Sequence, residues 1–160
     1  MPPTLREIVI PKEKAVFWMD ARGRWHNEHG LFEHPKIIAH FNAHIRRDAA
    51  GYYLAQEING QIEKVYFPYE DTAVFALDLR EGTPEVLLLN TGERLPLDPK
   101  RLALKGDDLY QLRDGERIKF GERCLLKLAE RIDDADGRYR FRSAEGNHPI
   151  ADLGDAGDDA

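Results

Sequence analysis

The side chains best equipped for chemistry crowd into the first half of the chain. Five of the six histidines, His26, His29, His34, His40 and His44, fall within one short span. His40 and His44 stand one helical turn apart on a predicted helix and project the same way, as a pair of metal ligands would. They lie roughly 95° from the centre of that helix's apolar stripe, on its flank. His26-Asn27-Glu28-His29 does not reproduce the H-E-x-x-H of zinc hydrolases, because the glutamate is misplaced and the stretch reads as a loop end. Solvated or edge histidines are therefore expected, with no resident metal and no cofactor. A metal-assisted hydrolase using the His26–His44 span is carried as an alternative.

Aromatic residues surround the same region: Trp25, Tyr52, Tyr53, Tyr66, Phe67, Tyr69 and Phe75. On a strand Tyr52 and Tyr53 must point to opposite faces, so one belongs to the core and the other to a surface or cleft. Glu57, Glu63, Lys64, Glu70 and Asp71 flank apolar strands. Carboxylate pairs can serve as acid and base, but neighbours such as Glu70 and Asp71 do not face each other, and solvated strand ends are the expectation. No G-x-S-x-G, P-loop, G-x-G-x-x-G or cysteine-zinc spacing is present, so the enzyme classes with strong local signatures are not supported.

The elements that must position these residues can be read from periodicity. Ile37, Ile38, Phe41 and Ile45 recur at helical spacing, which predicts a helix from Pro35 to about Arg47, stopped at Asp48-Ala49-Ala50-Gly51. Strands are predicted at Ala15–Met19, Arg24–His26, Tyr52–Glu57, Gln61–Phe67, Thr72–Leu79, Val86–Leu89, Arg101–Leu104, Leu109–Arg113 and Arg117–Phe120. Asn59-Gly60 and Asp114-Gly115 are two-residue hairpin signals, since a type I′ turn needs positive φ at both central residues. A second helix, Glu122–Ile132, and a strand, Arg138–Arg142, follow. Cys124, Leu125, Leu128 and Ile132 repeat the first helix's pattern at an offset of about 87 residues; removing one residue aligns Gly51 with Gly137 and Tyr53 with Tyr139. Helices set singly among antiparallel strands make this α+β. Two similar small units, each antiparallel strands plus one helix, are expected by duplication: a lead-in at 1–14, units at 15–84 and 85–150, and a disordered acidic tail at 151–160.

The totals narrow the partners. The net charge is −6, and the tail carries Asp152, Asp155, Asp158 and Asp159; the rest is left at about −2. Nucleic-acid polymers need an excess of Lys and Arg, so none is expected. The single Cys124 sits on an apolar helix face, reads as a small buried hydrophobe, and excludes an intrachain disulfide. No signal peptide is recognised, and the longest apolar runs, near Ala73–Leu77 and Val86–Leu89, fall far short of a membrane span. A soluble, cytoplasmic protein with no membrane partner is the expectation. Oligomeric state is left open.

The first half resembles the bacterial family catalogued as domain of unknown function 1285. The likeness rests on DARGRWH (Asp20–His26), the helix from Pro35, GYYL (Gly51–Leu54) and EKVYFPYEDTAVFA (Glu63–Ala76). The second half is similar through LNTGERLPL (Leu89–Leu97), RDGERIKF (Arg113–Phe120) and the helix that follows. Ala55-Gln56-Glu57 stands where the family usually has V-T-P. The resemblance implies an α+β fold built by duplication, a C-terminal unit similar to pleckstrin-homology domains, a pocket between the units for a nucleotide-like ligand, and a role in bacterial signalling. It implies no enzymatic activity.

A small-molecule binding or sensing protein is accordingly the first expectation, because clefts between units are common ligand sites. Trp25, Tyr52, Tyr53, Lys64, Glu70, Asp71 and Asn90 are the side chains expected near the ligand, with Arg117 and Arg123 supplying charge for an anion. Besides the hydrolase, a protein-interaction module offering an edge strand is the other alternative.

Overall fold

The structure, a computed structural model, describes residues 6–154. The acidic tail expected at 151–160 lies outside the described residues from residue 155 on, as do residues 1–5 of the lead-in. The described chain is α+β, with seventeen strands and two α-helices. It divides into two compact units, one ending at Ala73 and the other starting at Val74.

The first unit is built from two sheets. β1 (Arg6–Ile10), β5 (Ile45–Asp48), β6 (Gly51–Ile58) and β7 (Gln61–Tyr66) form a four-stranded sheet in the order β1-β7-β6-β5. β2 (Phe17–Met19), β3 (Trp25–Asn27) and β4 (Gly30–Leu31) form a three-stranded antiparallel one. The predicted Asn59-Gly60 turn is present, with φ of 51° and 74°, and sets the β6–β7 register that places Tyr53 opposite Tyr66 and Ala55 opposite Lys64. The described part of the lead-in is not loose: β1 runs parallel to β7, with Arg6 beside Gln61. Ile45, Tyr52, Leu54 and Val65 bury one face of the large sheet, and Met19, Trp25 and Phe67 complete the core. Trp25 is ringed by Phe17, Phe41 and Phe67 at centroid distances of 5.8, 5.2 and 4.8 Å.

The helix α1 covers Pro35–Ala43 only. The apolar stripe extended one residue too far: Ile45 is the first residue of β5, buried because it pairs with Leu54 rather than because it faces along a helix. Gly51 is likewise no helix cap. It opens β6 at φ 124°, and a Cβ there would sit 3.6 Å from the Tyr69 hydroxyl.

The second unit carries a seven-stranded sheet of β8 (Phe75–Arg80), β9 (Val86–Leu89), β10 (Arg94–Pro96), β11 (Leu102–Lys105), β12 (Asp108–Arg113), β13 (Glu116–Phe120) and β17 (Ala151–Asp152). Its order is β10-β9-β8-β13-β12-β11-β17. The segment around β8, expected in the first unit, starts the second: β8 pairs antiparallel with β9 and parallel with β13. Asp114 and Gly115 make the predicted turn at φ 44° and 81°. The helix α2 (Glu122–Leu128) packs on β8 and leads through a short 3-10 turn into β14 (Ile132–Ala135), β15 (Arg138–Ser143) and β16 (Gly146–Pro149), a separate three-stranded sheet. Once more the last residue of the predicted helix, Ile132, begins a strand.

An even spacing runs through both units. Pro35 and Glu122 open helices, Ile45 and Ile132 open the next strands, and Gly51 and Arg138 the strands after those, each pair 87 residues apart. No residue has to be removed, so Tyr139 corresponds to Tyr52 and not to Tyr53. Among the described residues no helix is long and apolar enough to cross a membrane.

Candidate functional site

One face of the four-stranded sheet is core, and the other gathers a polar and aromatic group. Alternation along β6 turns Tyr52 and Leu54 inward and Tyr53 outward. Because paired residues share a face, Tyr66 and Lys64 of β7 stand beside Tyr53, and Asp48 of β5 joins them. The Tyr53 and Tyr66 rings lie 5.2 Å apart and tilted. Lys64 Nζ sits 4.5 Å from the Tyr53 ring centroid, a cation–π contact. Asp48 Oδ2 accepts from the Tyr66 hydroxyl at 2.6 Å and from Lys64 Nζ at 3.1 Å, while its Oδ1 accepts from the Ala50 N–H at 2.9 Å. Glu7 of β1 approaches Lys64 at 3.8 Å.

These contacts fix the protonation states. The hydrogen bond from Tyr66 holds the Asp48 carboxyl below its usual range. The bond to Asp48 raises both the Tyr66 phenol and the Lys64 ammonium above theirs. At neutral pH Asp48, Lys64 and Tyr66 are therefore a carboxylate, an ammonium and a neutral phenol. None of them is tuned to move a proton, and the arrangement suits binding: aromatic faces for a planar ring, an ammonium for an anion, and a carboxylate for a donor.

A second cluster organises the DARGRWH segment. Asp20 is buried at the head of the turn before β3, and its Oδ1 accepts from the N–H groups of Arg22 and Arg24 at 2.8 and 3.0 Å. Its Oδ2 takes Arg24 Nε at 3.0 Å and His26 Nε2 at 2.7 Å. Burial pushes this carboxyl up, but the bonds from His26, Arg24 and Arg22 outweigh it and hold it at about 2. Trp18 stacks flat on His26, 5.6 Å between centroids. An aspartate with this many donors sets a turn and orients one imidazole.

The other expected residues take varied places. Trp25 is buried, and its Nε1 donates to Asn42 Oδ1 at 2.8 Å. Tyr52 is buried too, its hydroxyl 3.4 Å from Thr72 Oγ1. Glu70 Oε1 accepts from the Ala21 N–H at 2.9 Å, and Asp71 beside it is half-buried. In the second unit Asn90 Oδ1 accepts from the Phe75 N–H at 2.9 Å and so fastens the start of β8. The Arg117 guanidinium lies 5.1 Å over the Tyr110 ring, and Arg123 is 75% exposed, 3.8 Å from Asp78. Within the first unit, then, Tyr53 and Lys64 are brought into direct contact, whereas Trp25 and Tyr52 serve the core. Asp48, Tyr66 and Glu7 were missed as partners of Lys64. The signal for Tyr66 was available, since a two-residue turn at Asn59-Gly60 pairs 53 with 66 by counting outward. The histidines divide: His26 is committed to Asp20, and His40 of α1 meets the capping His44 ring to ring, with centroids 4.2 Å apart and planes tilted by 36°. Among the described residues no group of three or more His, Cys, Asp or Glu is placed to hold a metal ion.

The architecture and this face together define an α+β protein whose first unit presents a half-buried tyrosine–lysine surface. No family profile and no curated protein matches the chain in sequence. Two solved structures match it in fold. One is a DUF1285 family protein from Silicibacter pomeroyi, 16% identical, covering 92% of this chain and 84% of its own, with a TM-score of 0.62. The other is a DUF1285 family protein from Shewanella baltica, 20% identical, covering 74% of this chain and 94% of its own, with a TM-score of 0.54. The family resemblance drawn from DARGRWH and GYYL therefore holds, and at these identities what is shared is the fold.

Proposed function

We propose that the protein is a small-molecule binding or sensing module for an anionic, nucleotide-like ligand, acting in signalling. The observation that carries this reading is the contact of Tyr53 and Lys64, with Tyr66 and Asp48 beside them, on one face of the first unit's sheet. A planar base can stack on the phenol rings, and Lys64 can exchange part of its pairing with Asp48 and Glu7 for a ligand phosphate. The family resemblance supports the ligand class. The even 87-residue spacing supports a duplicated ancestry. Six consecutive strands followed by a helix, from β8 to α2, support likeness to a pleckstrin-homology unit, a likeness that does not itself imply lipid binding.

The test is a thermal-shift screen with purine and pyrimidine nucleotides and acidic metabolites at millimolar concentration. A specific ligand raises the melting temperature, and Tyr53→Ala or Lys64→Ala weakens the shift. A screen in which no compound stabilises the protein counts against the reading. One observation favours a second reading, a protein-interaction module: β1 is an edge strand with Ile8 and Val9 exposed. It predicts co-purifying protein partners whose binding is lost when Val9→Pro disrupts that edge.

A further inference from the structure

We propose that His40 and His44 form half of a zinc site, which a second copy of the chain completes with the same two histidines. His40 lies on α1, a helix with no buried residue, and His44 is the residue that caps its C-terminal end. Their rings are in contact one turn apart, with centroids 4.2 Å apart and planes tilted by 36°, close enough for two imidazoles to share one ion. His44 Nδ1 is 2.7 Å from the His40 carbonyl oxygen. A carbonyl only accepts, so Nδ1 carries a proton, and in a neutral imidazole Nε2 then keeps the lone pair. That is the arrangement of metal-bound histidines, whose other ring nitrogen donates to a carbonyl or carboxylate.

Imidazole nitrogens without carboxylates select zinc, nickel or copper over magnesium or calcium. A closed zinc site takes four ligands in a tetrahedron. Among the described residues the chain gathers no group of three, so two places fall to another molecule. The helix says which one. Ile37, His40 and His44 follow each other at i, i+3 and i+7 and share one stripe, and Ile37 is 46% exposed. A two-fold axis through the ion sets this stripe against itself, with two histidines from each copy on the metal and the two Ile37 side chains closing over its flanks. Lys36 stands next to Ile37 on α1, and Arg46 follows two residues after His44 on β5. Arg46 Nη1 is turned back onto the Ala43 and Ile45 carbonyls, at 3.0 and 2.8 Å. Without the ion, then, these charges and the small apolar area favour the monomer.

The experiment uses tag-free protein, zinc chloride titrated by calorimetry, and sedimentation velocity with and without zinc. Expected are one zinc ion per two chains, a doubling of mass on zinc addition, and its reversal by a chelator. His40→Ala and His44→Gln each abolish both effects, and circular dichroism confirms that these surface variants fold. Ile37→Asn weakens the dimer several-fold. The proposal is overturned if no zinc binds, if zinc binds without a change of mass, or if either histidine variant still dimerises with zinc.

Discussion

Ile37 and Cys124 occupy the same place in two helices 87 residues apart, yet Ile37 is half exposed and Cys124 is fully buried. One turn on, Phe41 is half-buried and its counterpart Leu128 is sealed. In the strands that follow the order reverses: Tyr52 is buried, whereas Tyr139 in the matching place is 45% exposed. The helix of the first unit is thus the more open of the two, whereas in the strands after it the tyrosine place differs the other way while Leu54 and Phe141 are both buried. The residue before each helix supplies a cause. Gly121 precedes α2, and its N–H donates to the Ala76 carbonyl of β8 at 2.8 Å, where a Cβ would lie only 3.2 Å from that oxygen. Lys127 then ties the far end, its Nζ 2.7 Å from Asp78 Oδ1. The matching position before α1 is His34, whose Cβ in so close a seat would have to push the facing oxygen back by a few tenths of an ångström. Like patterns of apolar residues thus specify where a helix and its strands begin, while the small residue before α2 eases that helix's close approach to β8.

The contrast can be broken most directly in the cores of the two helices. Leu128→Ala should cost about 3 kcal/mol, and Phe41→Ala less, about 2 kcal/mol, because solvent can fill part of the space a half-buried ring leaves. Urea unfolding of both variants checks this, and equal costs would erase the distinction. The next largest effect concerns what holds the unit with the more open helix together. Asp20 is depressed to about 2, so its contribution, about 2 kcal/mol, is complete above pH 4 and lost as pH falls toward 2. Both tryptophans, Trp18 and Trp25, lie in the first unit, so tryptophan fluorescence reads that unit alone. Asp20→Asn should lower its stability at pH 7 and flatten the acid transition between pH 4 and 2.

Cys124→Ser puts a hydroxyl into the dry seat of α2 and should cost about 1–2 kcal/mol, while Ile37→Ser should cost less than about 1 kcal/mol. The same seat predicts chemical inertness. Burial, with Asp78 nearby, pushes the Cys124 thiol up to about 12, so thiol reagents should label it only on unfolding. Fast native labelling would show that α2 opens as readily as α1. Smallest is Lys127→Ala, about 0.5 kcal/mol, since the lysine is half exposed.

Much of this was legible in the chain, and the illegible part has a common origin. Asn59-Gly60 and Asp114-Gly115 declared their turns because positive φ restricts residue choice locally. Pro35 declared a helix start for the same kind of reason. Ile45 and Ile132 misled, because an apolar residue at helical spacing is equally at home as the first residue of a buried strand. β1, and the parallel pairing of β8 with β13, left no local trace, since each depends on a partner far along the chain. In the candidate site Lys64 and Tyr53 stood out by type, whereas Asp48 looked like part of a helix stop. Only the sheet register showed that it holds both Lys64 and Tyr66.

The position of β1 also orders events during synthesis. Arg6 cannot meet Gln61 until everything between them has left the ribosome, whereas β6 and β7 can zip together across a two-residue turn as soon as they emerge. Within this sheet the strand that comes first in the chain is thus the last to dock. Until it does, β7 offers a bare row of amide and carbonyl groups, and shortening the chain at its front would leave that row permanently open to passing peptides.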